Sequence, residues 1–186
     1  MTFGCRPAAV DGISRQFFGD EYRIKGSVLV INPAYTGGIS VGMKWPAWHR
    51  DADHGTHNYY SLGWPAPLVQ LRFFIALSDC NDASEGGLAV YPGSHRCQVP
   101  WPHEPSTPLS AIRGAEVPRV QKGDCMLMHH GVMHTALPNP SSRDRVNVQF
   151  LTCPSWVRSK EAESYSPNLL TALPDDERER ILAPKW

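Results

Sequence analysis

No stretch of this chain is long and apolar enough to cross a bilayer: the longest apolar stretches, residues 27–31 and 73–77, fall far short of the roughly 20 residues a spanning helix needs. Charge of one sign is lacking as well. Lysine plus arginine and aspartate plus glutamate number 18 each, so neither a nucleic acid nor a membrane surface is expected as a partner. The first ten residues do not show the basic region and apolar run of a secretory signal. Five cysteines (Cys5, Cys80, Cys97, Cys125 and Cys153) occur without a Cys-x-x-Cys pair, which argues against a disulfide framework and against a thiolate zinc site. They read as reduced packing residues of a cytoplasmic protein. Internal repeats and low-complexity tracts are also missing.

What the chain does have is punctuation. Its 17 prolines and 15 glycines cut it into short segments, few of them with a helical period, and this favours a mostly β domain with many turns. Strands are expected at residues 27–32, 39–44, 69–78, 88–91, 125–130 and 145–152, most of them rich in valine, isoleucine, leucine or phenylalanine. A jelly roll or cupin-like barrel with few helices accommodates that pattern. At 186 residues the chain reads as one domain, 1–186, with a core at about 27–152. Residues 98–118 hold five prolines and read as a long surface loop. Helix is expected mainly at the C-terminal end, where Pro174, Asp175, Asp176 and Glu177 open a run to Leu182.

Against this scaffold the polar residues gain meaning. His49 and Asp51 are two apart, so on a strand both side chains point the same way, and a third donor from a distant strand completes a facial triad with three metal positions open. Such a site suits a non-haem iron(II) oxygenase. The competing reading of the pair is a polar turn beside a strand. In residues 128–134 three histidines, His129, His130 and His134, interrupt an apolar run, and a buried imidazole without a partner costs on the order of 1 to 3 kcal/mol. A metal meets that need. Farther on, alternation puts Arg145, Asn147 and Gln149 on one face of a strand and Val146, Val148 and Phe150 on the other. The turn at residues 139–142 then predicts that His134 and Arg145 sit on adjacent antiparallel strands. Arg145 is suited to grip a carboxylate with two parallel hydrogen bonds, unless it is paired instead with Asp124 or Asp144.

Three stretches together resemble the phytanoyl-CoA dioxygenase family of iron(II)- and 2-oxoglutarate-dependent oxygenases. They are Trp48-His49-Arg50-Asp51; the stretch from Glu85 through Gly86-Gly87-Leu88 to Pro92-Gly93-Ser94-His95; and Gly123-Asp124 followed by His134, Pro138-Asn139 and Arg145. The match covers roughly residues 27–150. It implies a double-stranded β-helix in which His49, Asp51 and His134 ligate Fe(II) and Arg145 binds the distal carboxylate of the cosubstrate 2-oxoglutarate. Arg143 is a rival on the same strand parity. His95 is expected to be a turn residue, and His129 and His130 to support the site or the core. Retention of Asp51, where related halogenases carry a small residue, implies hydroxylation or another oxidation. Arg50, Glu85 and Ala136 depart from the family's usual glutamine, asparagine and small hydroxyl residue.

The resemblance also implies dioxygen and a small organic molecule as partners. Trp45, Trp48, Tyr59, Tyr60, Trp64 and Arg72 are candidates to line its pocket, although aromatics of this kind also serve as ordinary packing, and Asp53, His54 and His57 are candidates for the mouth. Family members are usually longer, so the N-terminal helical region is expected to be truncated here. A homo- or hetero-oligomer is left open. The alternative function is a non-catalytic jelly-roll binding module, or a pseudo-enzyme partner of an active subunit.

Overall fold

The computed structural model describes residues 7–34, 48–51, 64–97, 109–157 and 166–181. The expected strand at 39–44 and residues 98–108 of the expected loop lie outside these, as do Trp45, Asp53, His54, His57, Tyr59 and Tyr60. Among the described residues six strands form two antiparallel sheets. The larger, in the order β1-β6-β2-β4, comprises β1 (Arg23–Asn32), β6 (Arg145–Cys153), β2 (Leu71–Ala76) and β4 (Cys125–His129). The smaller pairs β3 (Leu88–Tyr91) with β5 (Met133–Ala136).

β6 is central because its pattern suits both of its neighbours. Val148 and Phe150 lie opposite Ile75 and Phe73, while Asn147 and Gln149 lie opposite Ala76 and Phe74. Cross-strand partners share a face. The apolar set therefore turns toward the outer side and the polar set toward the interior, where Asn147 and Gln149 are buried.

The outer face is covered in part by α1 (Ala8–Phe18), a helix that the sequence reading did not anticipate. Its Val10, Ile13 and Phe18 pack on Leu71, Phe73 and Phe150, and Ser14 Oγ donates to Thr152 Oγ1 at 2.9 Å. Gly12 lowers the helical tendency by about 1 kcal/mol. Burying Val10 and its neighbours contributes roughly 1.5–3 kcal/mol per large side chain, so packing outweighs propensity. At the other end α2 (Pro167–Ala172) and α3 (Asp175–Ile181) bring Leu170, Leu173 and Ile181 onto Tyr22 and Ile24. The helical tail therefore packs against the start of β1.

One expectation is corrected. His134 and Arg145 are not on adjacent strands: β5 pairs with β3, whereas β6 pairs with β1 and β2. The segment between them is a crossover between sheets, held by two asparagines. Asn139 Nδ2 donates to the carbonyls of Asn32 (2.9 Å) and Arg143 (2.8 Å), and its Oδ1 accepts from Ser141 Oγ at 2.6 Å. Asn32 Nδ2 in turn donates to the carbonyls of Leu137 (2.9 Å) and Gly86 (3.2 Å). A turn signal in sequence does not reveal whether the chain returns to the same sheet.

Gly86 is fixed at this latch twice over. Its φ of 72° lies in the left-handed region, and an added Cβ would meet Asn32 Nδ2 at 2.5 Å and Asn139 Cβ at 2.7 Å. Gly93 has a similar φ, 79°, but open space around it. Gly86→Ala is expected to destabilise by about 3 kcal/mol or more and Gly93→Ala by only about 1 kcal/mol, as measured by urea denaturation. Equal losses would contradict the latch.

Candidate metal centre

β5 and the 48–51 segment are joined by a pair of backbone hydrogen bonds. His49 N donates to His134 O and His134 N to His49 O, both at 2.9 Å. This bridge adds residue 49 to the edge of the smaller sheet opposite β3. Alternation then sorts the side chains. Trp48 and Met133 enter an apolar cluster with Ala89 and Leu137, while His49 and His134 share the other face, their ring centroids 4.3 Å apart. Arg50, buried between the two candidate ligands, lies over the Trp64 ring at 4.7 Å. Asp51 N donates to His130 O at 3.2 Å, which returns the Asp51 carboxylate to the side of His49.

Donor atoms of His49, Asp51 and His134 all lie within 4.8 Å of one another. Donors on one face of an ion with bonds of about 2.0–2.2 Å stand about 3 Å apart, so the three converge on a common point and would draw closer on binding. The hydrogen bonding asks for one. His134 Nδ1 lies 2.9 Å from the Val132 carbonyl, which can only accept, so Nδ1 carries the proton and Nε2 presents a lone pair. Burial reinforces this by pushing the His134 pKa down to about 4, against the opposing pull of Asp51. That lone pair faces Asp51 Oδ1 at 3.6 Å, and Asp51 Oδ2 is buried with no hydrogen-bond partner. Two acceptors confronting each other in a dry site are stabilised by a cation between them.

Asp51 is tied to the larger sheet through Arg72, whose Nη2 donates to Oδ1 at 2.8 Å. Arg72 Nη1 donates to Gln149 Oε1 and Gln149 Nε2 to Asn147 Oδ1, each at 3.0 Å. A polar chain thus runs from Asp51 across the interior face of the larger sheet to a residue two before which, on the same face of β6, stands Arg145. The polar alternation of β6 was legible in sequence. The role of Arg72 was not, although it is the one charge in the β2 strand.

Arg145 lines a recess between the sheets with Phe74, Ala76, Cys80, Leu88 and Met126. His49, Asp51 and His134 are not among its described lining residues. Burial lowers the Arg145 pKa, and its Nε has no hydrogen-bond partner. Neither proposed carboxylate partner pairs with it: Asp124 accepts from Gln121 N and Asp144 from Ala34 N, each at 2.8 Å. The rival Arg143 is two-thirds exposed and bound to Glu85 at 2.8 Å, which takes it out of the recess.

The remaining histidines behave as expected of supporting residues. His95 O accepts from Ala66 N at 2.9 Å within the Pro-Gly-Ser-His turn, and the neighbouring Ser94 Oγ accepts from Met133 N at 2.8 Å, tying that turn to β5. His95, His129 and His130 form a row, with ring centroids 4.8 and 4.6 Å apart. Burial pushes the pKa of His129 and of His130 down to about 4, with mutual repulsion adding to the shift of His129.

The fold is a double-stranded β-helix of two antiparallel sheets, and its His-x-Asp pair with a distant histidine is a donor set that could hold a single metal ion. Comparison narrows the class. The family model for phytanoyl-CoA dioxygenase matches residues 6–147, and the chain belongs to that family of iron(II)- and 2-oxoglutarate-dependent oxygenases. It is similar to the dioxygenase ALT11 of Alternaria alternata, 29% identical over 153 residues that make up 82% of this chain and 48% of that protein. Among solved structures it shares the fold of HygX from Streptomyces hygroscopicus with iron bound, with a TM-score of 0.61 at 17% identity, covering 80% of this chain and 65% of that one. It also shares the fold of EctD from S. alaskensis with 2-oxoglutarate and 5-hydroxyectoine, with a TM-score of 0.60 at 24% identity, covering 82% and 51%. The chain spans about half the length of the curated relatives it matches first. No helix among the described residues is long and apolar enough to cross a membrane.

The histidine row sets a pH dependence. In the unfolded chain His129 and His130 take up protons near pH 6.5, whereas in the fold they do so only near pH 4. Their contribution to stability is therefore complete above about pH 6.5 and is lost as pH falls toward 4. Melting temperatures of the metal-free protein between pH 7.5 and 4.5 should decline through that window. A flat profile would contradict the buried neutral state.

Proposed function

We propose that this protein is an iron(II)- and 2-oxoglutarate-dependent dioxygenase that hydroxylates or otherwise oxidises a small organic molecule. The observation that carries the reading is the convergence of His49, Asp51 and His134, with the lone pair of one imidazole confronting a buried carboxylate. These three residues would hold the metal. When bound, iron and 2-oxoglutarate together activate dioxygen, converting the oxo acid to succinate and carbon dioxide and supplying the oxidant for a substrate carbon. Family membership, the fold shared with HygX and EctD, and the ligands named for those structures support iron and 2-oxoglutarate as the cofactor and cosubstrate.

The chain's own residues prepare the site. The Val132 carbonyl fixes the His134 proton on Nδ1 and burial keeps the ring neutral, so the Nε2 lone pair is presented to the metal position. Arg145 would receive the distal carboxylate of 2-oxoglutarate: it is a desolvated guanidinium whose charge is not matched by a carboxylate among the described residues, and a dianion entering the recess would supply that match. Phe74, Leu88 and Met126 keep water from that contact. A cytoplasmic location accords with the free thiols of Cys80, Cys97 and Cys125.

Anaerobic addition of iron(II) and 2-oxoglutarate should raise the melting temperature by ligand linkage, and aerobic incubation should form succinate slowly even without a primary substrate. Asp51→Ala and His134→Ala should abolish both effects. Arg145→Met should leave metal binding intact and raise the KM for 2-oxoglutarate about 30-fold or more, the loss of two charge-assisted hydrogen bonds. If wild-type protein neither gains stability nor forms succinate, the non-catalytic binding module takes its place.

A further inference from the structure

We infer that Arg72 is a positioning residue for Asp51, fixing the plane of the carboxylate so that one lone pair is occupied and the others face the ion. This rests on reading His49, Asp51 and His134 as one metal site. Asp51 sits in a short segment bridged to the smaller sheet, two residues beyond the His49 bridge, whereas Arg72 projects from β2 of the larger sheet. On β2 its neighbours Leu71 and Phe73 pack outward beneath α1, and alternation sends Arg72 to the interior.

The Arg72 guanidinium is held at both ends of its fork. Nη2 bonds Asp51 Oδ1 at 2.8 Å and Nη1 bonds Gln149 Oε1 at 3.0 Å, while Gln149 is itself braced by Asn147 on β6. Two central strands of one sheet thus orient a ligand attached to the other. The fork could compete with a metal for the carboxylate, since two cations repel. The geometry decides against competition. Arg72 engages Oδ1 through a single nitrogen, with its other arm spent on Gln149, and Oδ2 is left buried without a hydrogen bond. A carboxylate offers about four acceptor positions, so an ion can share it with an arginine that grips at one point.

Cobalt(II) reports on this directly, because its visible absorption bands follow both affinity and geometry. Wild-type protein should bind one equivalent, and His134→Ala should bind none. Arg72→Met should weaken binding 10- to 100-fold and shift the visible spectrum, Arg72→Lys should recover part of the affinity, and Gln149→Met should weaken binding about threefold. Metal-free melting curves show which variants fold, and if Arg72→Met does not, Arg72→Lys and Gln149→Met carry the comparison. Wild-type-like or tighter binding with unchanged spectra in the folded variants overturns the inference while leaving the metal site standing. Absence of cobalt binding by wild-type protein, or its persistence in His134→Ala, overturns the metal site and this inference together.

Discussion

The pair of backbone hydrogen bonds between His49 and His134 is the constraint on which the site depends. It places two donors that are 85 positions apart in the chain on one face of one sheet, and it does so without using either side chain. Each imidazole is then free to face the interior, with Trp48 and Met133 anchoring the opposite face in an apolar cluster. The carboxylate follows by alternation, its backbone nitrogen secured to His130. The recognition chemistry is thus carried by side chains whose direction the main chain has already decided.

Electrostatics completes what the main chain begins. A buried neutral imidazole, a buried carboxylate and an arginine fork form a cluster in which one acceptor remains without a hydrogen bond. In water such a mismatch would be solvated at little cost. Between two packed sheets it is a standing demand for positive charge, and it is stronger than any preference shown by the three residues separately. Arg145 presents the converse, a desolvated cation for which the described residues offer no anion.

Much of this was legible in the sequence, and the reasons it was legible differ from residue to residue. β3 was readable to the residue, β2, β4 and β6 nearly so and β1 only from residue 27 onward, since strand identity depends on local alternation and on nearby glycine and proline, whereas β5 was not anticipated. The polar face of β6 was readable for the same reason. The site residues emerged from the order of three separated motifs, not from any one of them. What escaped was non-local. Whether Asn139 begins a hairpin or a crossover depends on where Asn32 and Gly86 stand in space. The N-terminal helix α1 escaped because its apolar stripe is short and includes Gly12, so the evidence for it lies in the sheet beneath it. Arg72 was visible as a charge in an apolar strand, but its partners belong to two other segments.

The asparagine-latched crossover has a consequence for which oxo acids the protein would accept. With the proposed metal donors on one sheet and the proposed carboxylate grip of Arg145 on the other, the distance a cosubstrate must bridge is set by how far apart the sheets stand. Packed sheets resist change in that spacing far more than a side chain resists a change of rotamer. Under that proposal the sandwich would act as a ruler for the length of the dicarboxylate. Tolerance for a shorter or longer acid would come from altering the latch at Asn32, Gly86 and Asn139 that sets the stance of the two sheets, and not from altering the metal donors themselves.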